Sequence, residues 1–397
     1  MNLVSIEEGI EAFRNGEFLL VVDAADRENE ADLIMAAEKV TPEAVAFMVR
    51  YTSGLICQPM LGEQLDALEL PLMVPAAGDV HHTQFTVSVD HVPGTTTGIS
   101  AEDRANTILS LIDPGTRPVD LARPGHVFPL RYTSGGVLRR PGHTEAGVDL
   151  AVLAGLYPSA ILCELVNDDG TMSRGDDLER FSQEHGIKMI SIEDLITYRL
   201  QTENTVTRRA KASLPTVHGD FTVFGYLDQI TGAEHVALIS GEPADGMLVR
   251  VHSECRTGDV FNSTRCDCRW QLDAAMDQIA SSGSGAVIYM DGHEGRGIGL
   301  LNKLAAYQRQ DEGGEDTVEA NLNLGFPADA RRFEAAAHIL NDLDVKSVRL
   351  LSNNPQKRAG LELAGIKVTD TVALIAPTSE TNREYLNTKA TKMGHSL

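Results

Sequence analysis

Cys255, Cys266 and Cys268 place three thiols within fourteen residues, ten residues separating the first two and one separating the last two. They close the stretch Val-Arg-Val-His-Ser-Glu-Cys (249–255) and the run Arg265-Cys266-Asp267-Cys268. A fold that gathers them must turn the chain back within a dozen residues, and three soft ligands together suit Zn²⁺. A structural zinc site needs a fourth protein ligand, and no further cysteine follows Cys268. Three thiolates with an open fourth position are the catalytic arrangement. The competing reading is three reduced, buried cysteines acting as small apolar side chains. Arg265, Asp267 and Arg269 beside the C-x-C pair argue against it, because charged residues seldom accompany full burial.

At 397 residues the chain has room for about two domains. Five cysteines, three of them clustered, fit a metal site in a reducing compartment better than a disulfide framework, so a cytoplasmic protein is expected. The opening Met-Asn-Leu-Val-Ser-Ile-Glu-Glu has neither a basic segment nor an apolar signal core. Tyr157, Pro158, Ser159 and Glu164 interrupt the most apolar stretch, 151–166, which argues against a membrane span. A net charge of −23 argues against nucleic-acid binding, which needs a basic face. Small phosphate substrates need only a few local cations.

Hydrophobic periodicity predicts helices at 5–14, 42–51, 102–111, 148–156 and 178–185, and strands at 18–22, 85–89 and 160–166. The polar stretch 200–218 reads as a linker. Beyond it, strands are expected at 221–226, 235–240, 247–251, 286–290 and 347–351, with helices at 272–281, 299–310 and 331–343. The pattern is two consecutive α+β or α/β domains with mixed sheets, 1–200 and 201–397.

Around the cysteines, Gly292-His-Glu-Gly-Arg-Gly-Ile-Gly-Leu300 follows an expected strand and opens a helix, so backbone amides, a helix N-terminus and Arg296 can meet an anion. Such turns are also common as tight connections. Ser352-Asn-Asn-Pro-Gln-Lys357 again follows a strand, with Lys357 placed for a second phosphate or a base. Local pattern alone reads Asp329 as a helix N-cap and Tyr307 as a packing residue. Together with Asp316-Thr-Val-Glu-Ala-Asn321 and Lys392-Met-Gly-His395, these motifs resemble GTP cyclohydrolase II from about residue 205 onward. The resemblance implies opening of the guanine imidazole ring of GTP, with release of formate and pyrophosphate. It implies that Cys255, Cys266 and Cys268 hold a zinc ion whose water attacks C8. Arg250, Val251, His252, Ser253, Glu254, Gln271, Glu294, Gly295, Arg296, Thr317, Ser352 and Lys357 would contact GTP. Asp329 would be a general base, Arg331 would take up the phosphate side of the reaction, and Tyr307 would sit at the purine. The chain departs from the family pattern at Arg256, Arg269, Asp291 and Ser352, and Asp291 puts a negative charge near the expected triphosphate site.

In the N-terminal half, Asp26-Arg27-Glu28-Asn29-Glu30-Ala31-Asp32 follows a strand, where α/β ligand sites form, although a short charge run is more often a solvated turn. Arg139-Arg-Pro-Gly-His-Thr-Glu145 suits phosphate capture beside a metal ligand. Hard oxygen ligands with one imidazole suit Mg²⁺ or Mn²⁺. With Arg123-Pro-Gly-His126 and Cys163-Glu164, these segments resemble 3,4-dihydroxy-2-butanone 4-phosphate synthase over roughly residues 3–200. The resemblance implies conversion of ribulose 5-phosphate to a four-carbon ketone phosphate plus formate. Glu28 and His143 would bind Mg²⁺, while Arg27, Asp32, Arg140, Pro141, Gly142, His143 and Thr144 would hold substrate. His126 and Glu164 would be the acid–base pair, with Glu30 a further carboxylate of the site. Ala24, Ala25 and Ala31 replace two carboxylates and a glycine of the family pattern.

The combined expectation is a bifunctional riboflavin-biosynthesis enzyme, a homodimer by resemblance, each half releasing one formate. One alternative leaves only the GTP half active, with the N-terminal half a dimerisation scaffold. A second assigns the GTP reaction to a specialised secondary pathway. A third is a non-catalytic GTP-binding module.

Overall fold

The computed structural model describes residues 2–24, 27–74, 83–392 and 394, with the side chain of Glu384 excepted; Ala25, Asp26 and His395 lie outside the described residues. The chain divides into two compact units, Met1–Arg199 and Leu200–Leu397.

The first unit holds β1 (Leu19–Val22), β2 (Ala31–Ala36), β3 (Cys57–Met60), β4 (Val89–His91), β5 (Leu121–Arg131), β6 (Ala160–Glu164) and β7 (Lys188–Ser191). They form one mixed sheet in the order β4-β5-β3-β6-β2-β1-β7. Leu19, Leu20 and Val21 of β1 are fully buried, as an apolar run covered on both faces requires. One face is covered by helices Ile6–Arg14 and His143–Leu153, which pack against each other. Ser5 caps the first of these by accepting from the Glu8 amide.

The second unit holds β8 (Val206–Thr216), β9 (Gly219–Asp228), β10 (Glu234–Ser240), β11 (Met247–Ser253), β12 (Gly285–Met290), β13 (Ser347–Leu351) and β14 (Lys367–Val372). Their order is β14-β13-β11-β12-β10-β9-β8, parallel from β14 to β12 and antiparallel from β12 to β8. The parallel strands deliver the loops after β11, β12 and β13 to one end of the sheet, where ligands of such folds bind.

Four expectations change. The stretch 200–218 is no linker: helix Ile192–Thr202 runs into it, and β8 occupies most of it. Among the described residues β8 is an edge strand paired only with β9 and exposed along nearly its whole length, so its polar composition marks a solvated hairpin. The strand expected at 85–89 is a pair of isolated bridges at Phe85 and Thr86, and regular pairing begins at Val89. The helix expected from Val148 starts at His143, because its polar first turn is buried towards a site instead of solvated. The helix expected from Arg331 starts at Glu334, and Asp329 is bonded to Arg331 instead of capping it.

Gly125 of β5 faces the backbone of β4, where a β-carbon would lie 1.9 Å from the Val89 carbonyl carbon. Backbone cannot yield as a side-chain tip does. Gly125→Ala should therefore destabilise the first unit by about 1–3 kcal/mol or more in urea unfolding.

Two candidate active sites

In the first unit, Asp23 follows β1 and organises the loop to β2. Its carboxylate accepts from the Glu28 amide (3.1 Å), the Glu30 amide (3.0 Å) and the Arg27 guanidinium (2.8 Å). Arg27 also pairs with Glu28 at 2.9 Å. The loop takes its left-handed residue at Asn29 (φ 55°), while Ala31 is already in β2, so the glycine missing at 31 is not needed for a positive φ.

His143 begins its helix with Nε2 at 3.1 Å from the Val21 carbonyl, which makes Nε2 the protonated nitrogen and turns Nδ1 towards Glu28 (3.7 Å) and Asp32 (3.8 Å). Ligand atoms of Asp23, Glu28 and His143 all lie within 4.8 Å of one another. Burial pushes the Asp32 carboxyl up to about 7, and His143 opposes that rise. Burial works against the His143 charge, yet Asp32, Glu28 and Asp23 raise it to about 9. Burial also raises Glu28, but its bond to His143 and the Arg27 charge hold it at about 2. Two oxygens and one imidazole nitrogen crowded together seek positive charge, and this donor set fits Mg²⁺ or Mn²⁺. Asp23 joins this candidate cluster without having been singled out in the sequence, because spacing does not show that its carboxylate folds over the loop.

Gly142 lets two guanidiniums converge: a β-carbon there would lie 2.7 Å from Arg140 Nη1 and 3.1 Å from Arg27 Nη2. Arg140 pairs with buried Glu145 at 2.6 Å. Thr144 is buried in the same helical turn, and Pro141 is exposed. Glu164 ends β6 opposite Asp32 of β2 and accepts from Ser53 Oγ at 2.6 Å. Glu30 lies 3.5 Å from Arg174. His126 stands apart on β5, its Nδ1 at 2.7 Å from Asp90 and its side chain 41% exposed. Among the described residues no hydrogen bond or ion pair joins His126 to Glu164, and β3 separates their strands.

In the second unit, Cys255 follows β11 and Cys268 opens helix Cys268–Ser282, so strand end and helix start bring the three sulfurs together. Cys255 and Cys266 Sγ are 3.8 Å apart. Bonds from Cys266 and Cys268, then the Lys303 ammonium, hold the Cys255 thiol far below its ordinary range, while sharing with Cys255 raises Cys266 to about 11. Three sulfurs gathered beside a lysine ammonium are a donor set that fits a thiolate-bound Zn²⁺. Lys303 bonds Cys255 Sγ (3.1 Å), Thr257 Oγ1 (2.7 Å) and Glu294 (2.5 Å), and Glu294 also accepts from the Arg256 amide at 2.6 Å. Lys303 and Tyr307 lie one helical turn apart, a spacing that could have identified Lys303 once Tyr307 was singled out.

A cavity of about 460 Å³ opens beside the sulfurs, lined also by Glu254, Gly295, Arg296, Tyr307, Thr317 and Arg331. A smaller one of about 50 Å³ shares Ser253, Arg296 and Arg331 with it and adds Arg250, His252, Gln271, Ser352 and Lys357. Val251 is buried behind this wall and accepts from Lys357 Nζ at 2.8 Å. Arg296 is 7% exposed, has φ 65°, and among the described residues neither of its Nη atoms has a hydrogen-bond partner. A buried guanidinium in a strained conformation with free donors is costly unless an anion completes it. Arg331 forms a fork with Asp329 (2.8 and 2.5 Å) and reaches Ser253 Oγ at 3.2 Å. Burial raises Asp329, but Arg331 more than offsets it and keeps the carboxylate ionised. Burial holds His293 down to about 3, with Arg331 adding to the effect. Tyr307 OH lies 3.4 Å from Thr257, and the Arg265 guanidinium stands 4.6 Å over its ring.

Three of the four departures, Arg256, Arg269 and Asp291, lie outside the walls of both cavities. Arg256 bonds Glu254 at 2.6 Å, and Arg269 bonds Asp273 at 2.8 Å. Asp291 lines neither cavity. Ser352 lines the smaller one and accepts from the Asn354 amide at 3.0 Å.

The model of 3,4-dihydroxy-2-butanone 4-phosphate synthase matches residues 7–198, and that of GTP cyclohydrolase II matches residues 207–373. A protein of Salinispora arenicola named riboflavin biosynthesis protein RibBA is 58% identical over 395 residues, covering 99% of this chain and 94% of its own. A rice protein (Oryza sativa subsp. japonica) named probable bifunctional riboflavin biosynthesis protein RIBA 1, chloroplastic, is 52% identical over 98% of this chain and 73% of its own. Among solved structures, RibBX, a two domain 3,4-dihydroxy-2-butanone 4-phosphate synthase from A. baumannii, matches with TM-score 0.69 and 34% identity over 94% of this chain and 100% of that one. With one synthase and one cyclohydrolase segment in tandem and close relatives along its whole length, the chain belongs to the bifunctional RibBA family of riboflavin-biosynthesis enzymes, combining 3,4-dihydroxy-2-butanone 4-phosphate synthase with GTP cyclohydrolase II.

Proposed function

We propose that the cavity beside the three cysteines is the GTP site and that the Asp23–Glu28–His143 cluster serves the ribulose 5-phosphate reaction. The observation that carries the first assignment is the buried Arg296 guanidinium, both Nη atoms unpartnered among the described residues, lining the same cavity as the three thiols. Residues 1–200 perform the synthase reaction and residues 201–397 the cyclohydrolase reaction.

When bound, Mg²⁺ (or Mn²⁺) at Asp23, Glu28 and His143 and Zn²⁺ at Cys255, Cys266 and Cys268 supply Lewis-acid chemistry. In the first site Arg27 and Arg140, meeting across Gly142, hold the substrate phosphate with Thr144 and the loop through Pro141. Asp32 and Glu30 keep the site acidic. Glu164 and His126 move protons, Asp90 orienting the imidazole at 2.7 Å. Their separation on strands that β3 divides supports a homodimer in which a second copy completes the site. In the second site Arg296, Arg331 and Lys357 meet the phosphates, while Arg250, Gln271 and Thr317 position GTP. Asp329, kept ionised by Arg331, accepts a proton, and Tyr307 contacts the purine. Reduced thiolate ligands fit a cytoplasmic enzyme. Among the described residues no helix is long and apolar enough to cross a membrane.

Formate release from each substrate tests the reading. His143→Ala should abolish turnover of ribulose 5-phosphate and leave that of GTP, whereas Cys266→Ser should do the reverse; loss of both reactions in either variant would refute independent sites. Asp23→Asn should raise the Mg²⁺ concentration for half-maximal synthase activity about 10–100-fold. Arg296→Met should raise KM for GTP about 10–100-fold, the loss of about 1.5–3 kcal/mol of charged hydrogen bonding. The same change should raise the melting temperature of the substrate-free enzyme, because it removes a desolvated cation.

A further inference from the structure

The cyclohydrolase model ends at residue 373, yet a later helix, Arg383–Lys392, stands in the wall of both cavities through Tyr385. Lys389 of this helix is 8% exposed and places Nζ 2.6 Å from Asp267 Oδ1. Asp267 is the single residue between Cys266 and Cys268, and its side chain is fully buried. Its other oxygen accepts from Gln271 Nε2 at 2.7 Å, and Gln271 Oε1 accepts from Arg250 Nη2 at 2.5 Å. Arg250 Nη1 then donates to the Leu351 carbonyl at 2.9 Å, at the end of β13. A hydrogen-bonded chain therefore runs Lys389–Asp267–Gln271–Arg250, from the C-terminal helix through the C-x-C turn to the smaller cavity.

We propose that Lys389 is a positioning residue for the GTP reaction. By holding the Asp267 carboxylate it fixes the turn that aims Cys266 and Cys268, and by way of Gln271 it fixes the Arg250 guanidinium. The physical argument is charge compensation. A buried carboxylate is tolerated when a cation and hydrogen bonds satisfy it, and Gln271 by itself brings no charge. Without Lys389 the buried Asp267 carboxylate loses its ionic partner and relaxes towards water, which moves the peptide that carries both sulfurs. The outer contacts of metal ligands set ligand direction in this way. The inference rests on the GTP reading of the cavity, but its metal-site consequence is measured separately.

The experiment uses the full-length enzyme carrying Lys389→Met, Asp267→Asn or both. Three quantities are read: GTP kinetics, zinc affinity against a chelator, and the sulfur-to-metal charge-transfer band of the Co²⁺-substituted protein. Formate release from ribulose 5-phosphate by the same chain monitors folding. Lys389→Met is expected to lower kcat/KM for GTP and zinc affinity, each about 10–100-fold, and to alter the Co²⁺ band, with synthase turnover unchanged. The double variant, which removes both charges of the Lys389–Asp267 pair, is expected to recover part of the zinc affinity and the parental band. It also serves as the readable variant if Lys389→Met alone fails to fold. An unaltered band and zinc affinity in Lys389→Met would overturn the proposal, even with slower GTP turnover, since Lys389 would then act on substrate and not on the turn. A parent enzyme that releases no formate from GTP, while its Co²⁺ band still responds to Lys389→Met, would remove the GTP reading and support the hold of Lys389 on the turn.

Discussion

Three thiolates within ligand distance of one another repel in a half-buried site, so holding them together in charged form calls for positive charge, and the second unit places a lysine ammonium beside them. Cys255 leaves β11 and Cys268 enters a helix, so the sheet end and the helix start determine where the charge accumulates. Lys303 answers it from one side at 3.1 Å from Cys255. Glu294 ties Lys303 to the amide of Arg256, so the loop carrying Cys255 and the Glu-Gly-Arg loop after β12 form one body. The cavity lies against that body, with Arg296 and Arg331 facing it.

The first unit solves the opposite problem. Asp23, Glu28 and Asp32 crowd His143, and the imidazole is raised to about 9 by these carboxylates against its own burial. A divalent cation held there would compete with the imidazole proton, so its binding would weaken as pH falls. Asp23 has the most connected role: it holds the Glu28 and Glu30 amides and Arg27, and thereby shapes the loop as well as facing the cluster. Absence of the neighbouring family carboxylate at Ala24 leaves these bonds intact.

Particular residues show how far the sequence could be read. The cysteine spacing, the Glu-Gly-Arg loop and the Asn-Asn-Pro run each belong to one short segment, so adjacency in sequence is nearly adjacency in space. Helix 42–51 and strand 347–351 were legible to the residue, because both are short, strongly patterned and bounded by turn or cap residues. β8 was not: an edge strand with both faces in water has the composition of a linker, and only its pairing with β9 identifies it. The buried first turn from His143 was hidden for a related reason, since polar residues that face a site look like residues that face solvent.

The sequence by itself determined the two-part organisation, the thiol and carboxylate–imidazole residues, and the more strongly patterned strands and helices, because these depend on residue type and local period. Tertiary structure alone decided which charges answer one another. Asp23 over Glu28, Lys303 on Cys255, Asp329 with Arg331 instead of a helix end, and Lys389 on Asp267 are contacts made by folding; Lys389 and Asp267 stand 122 residues apart in the chain. Electrostatic and hydrogen-bond energies depend on separations of a few ångströms and on exclusion of water, and neither quantity is carried by position along the chain.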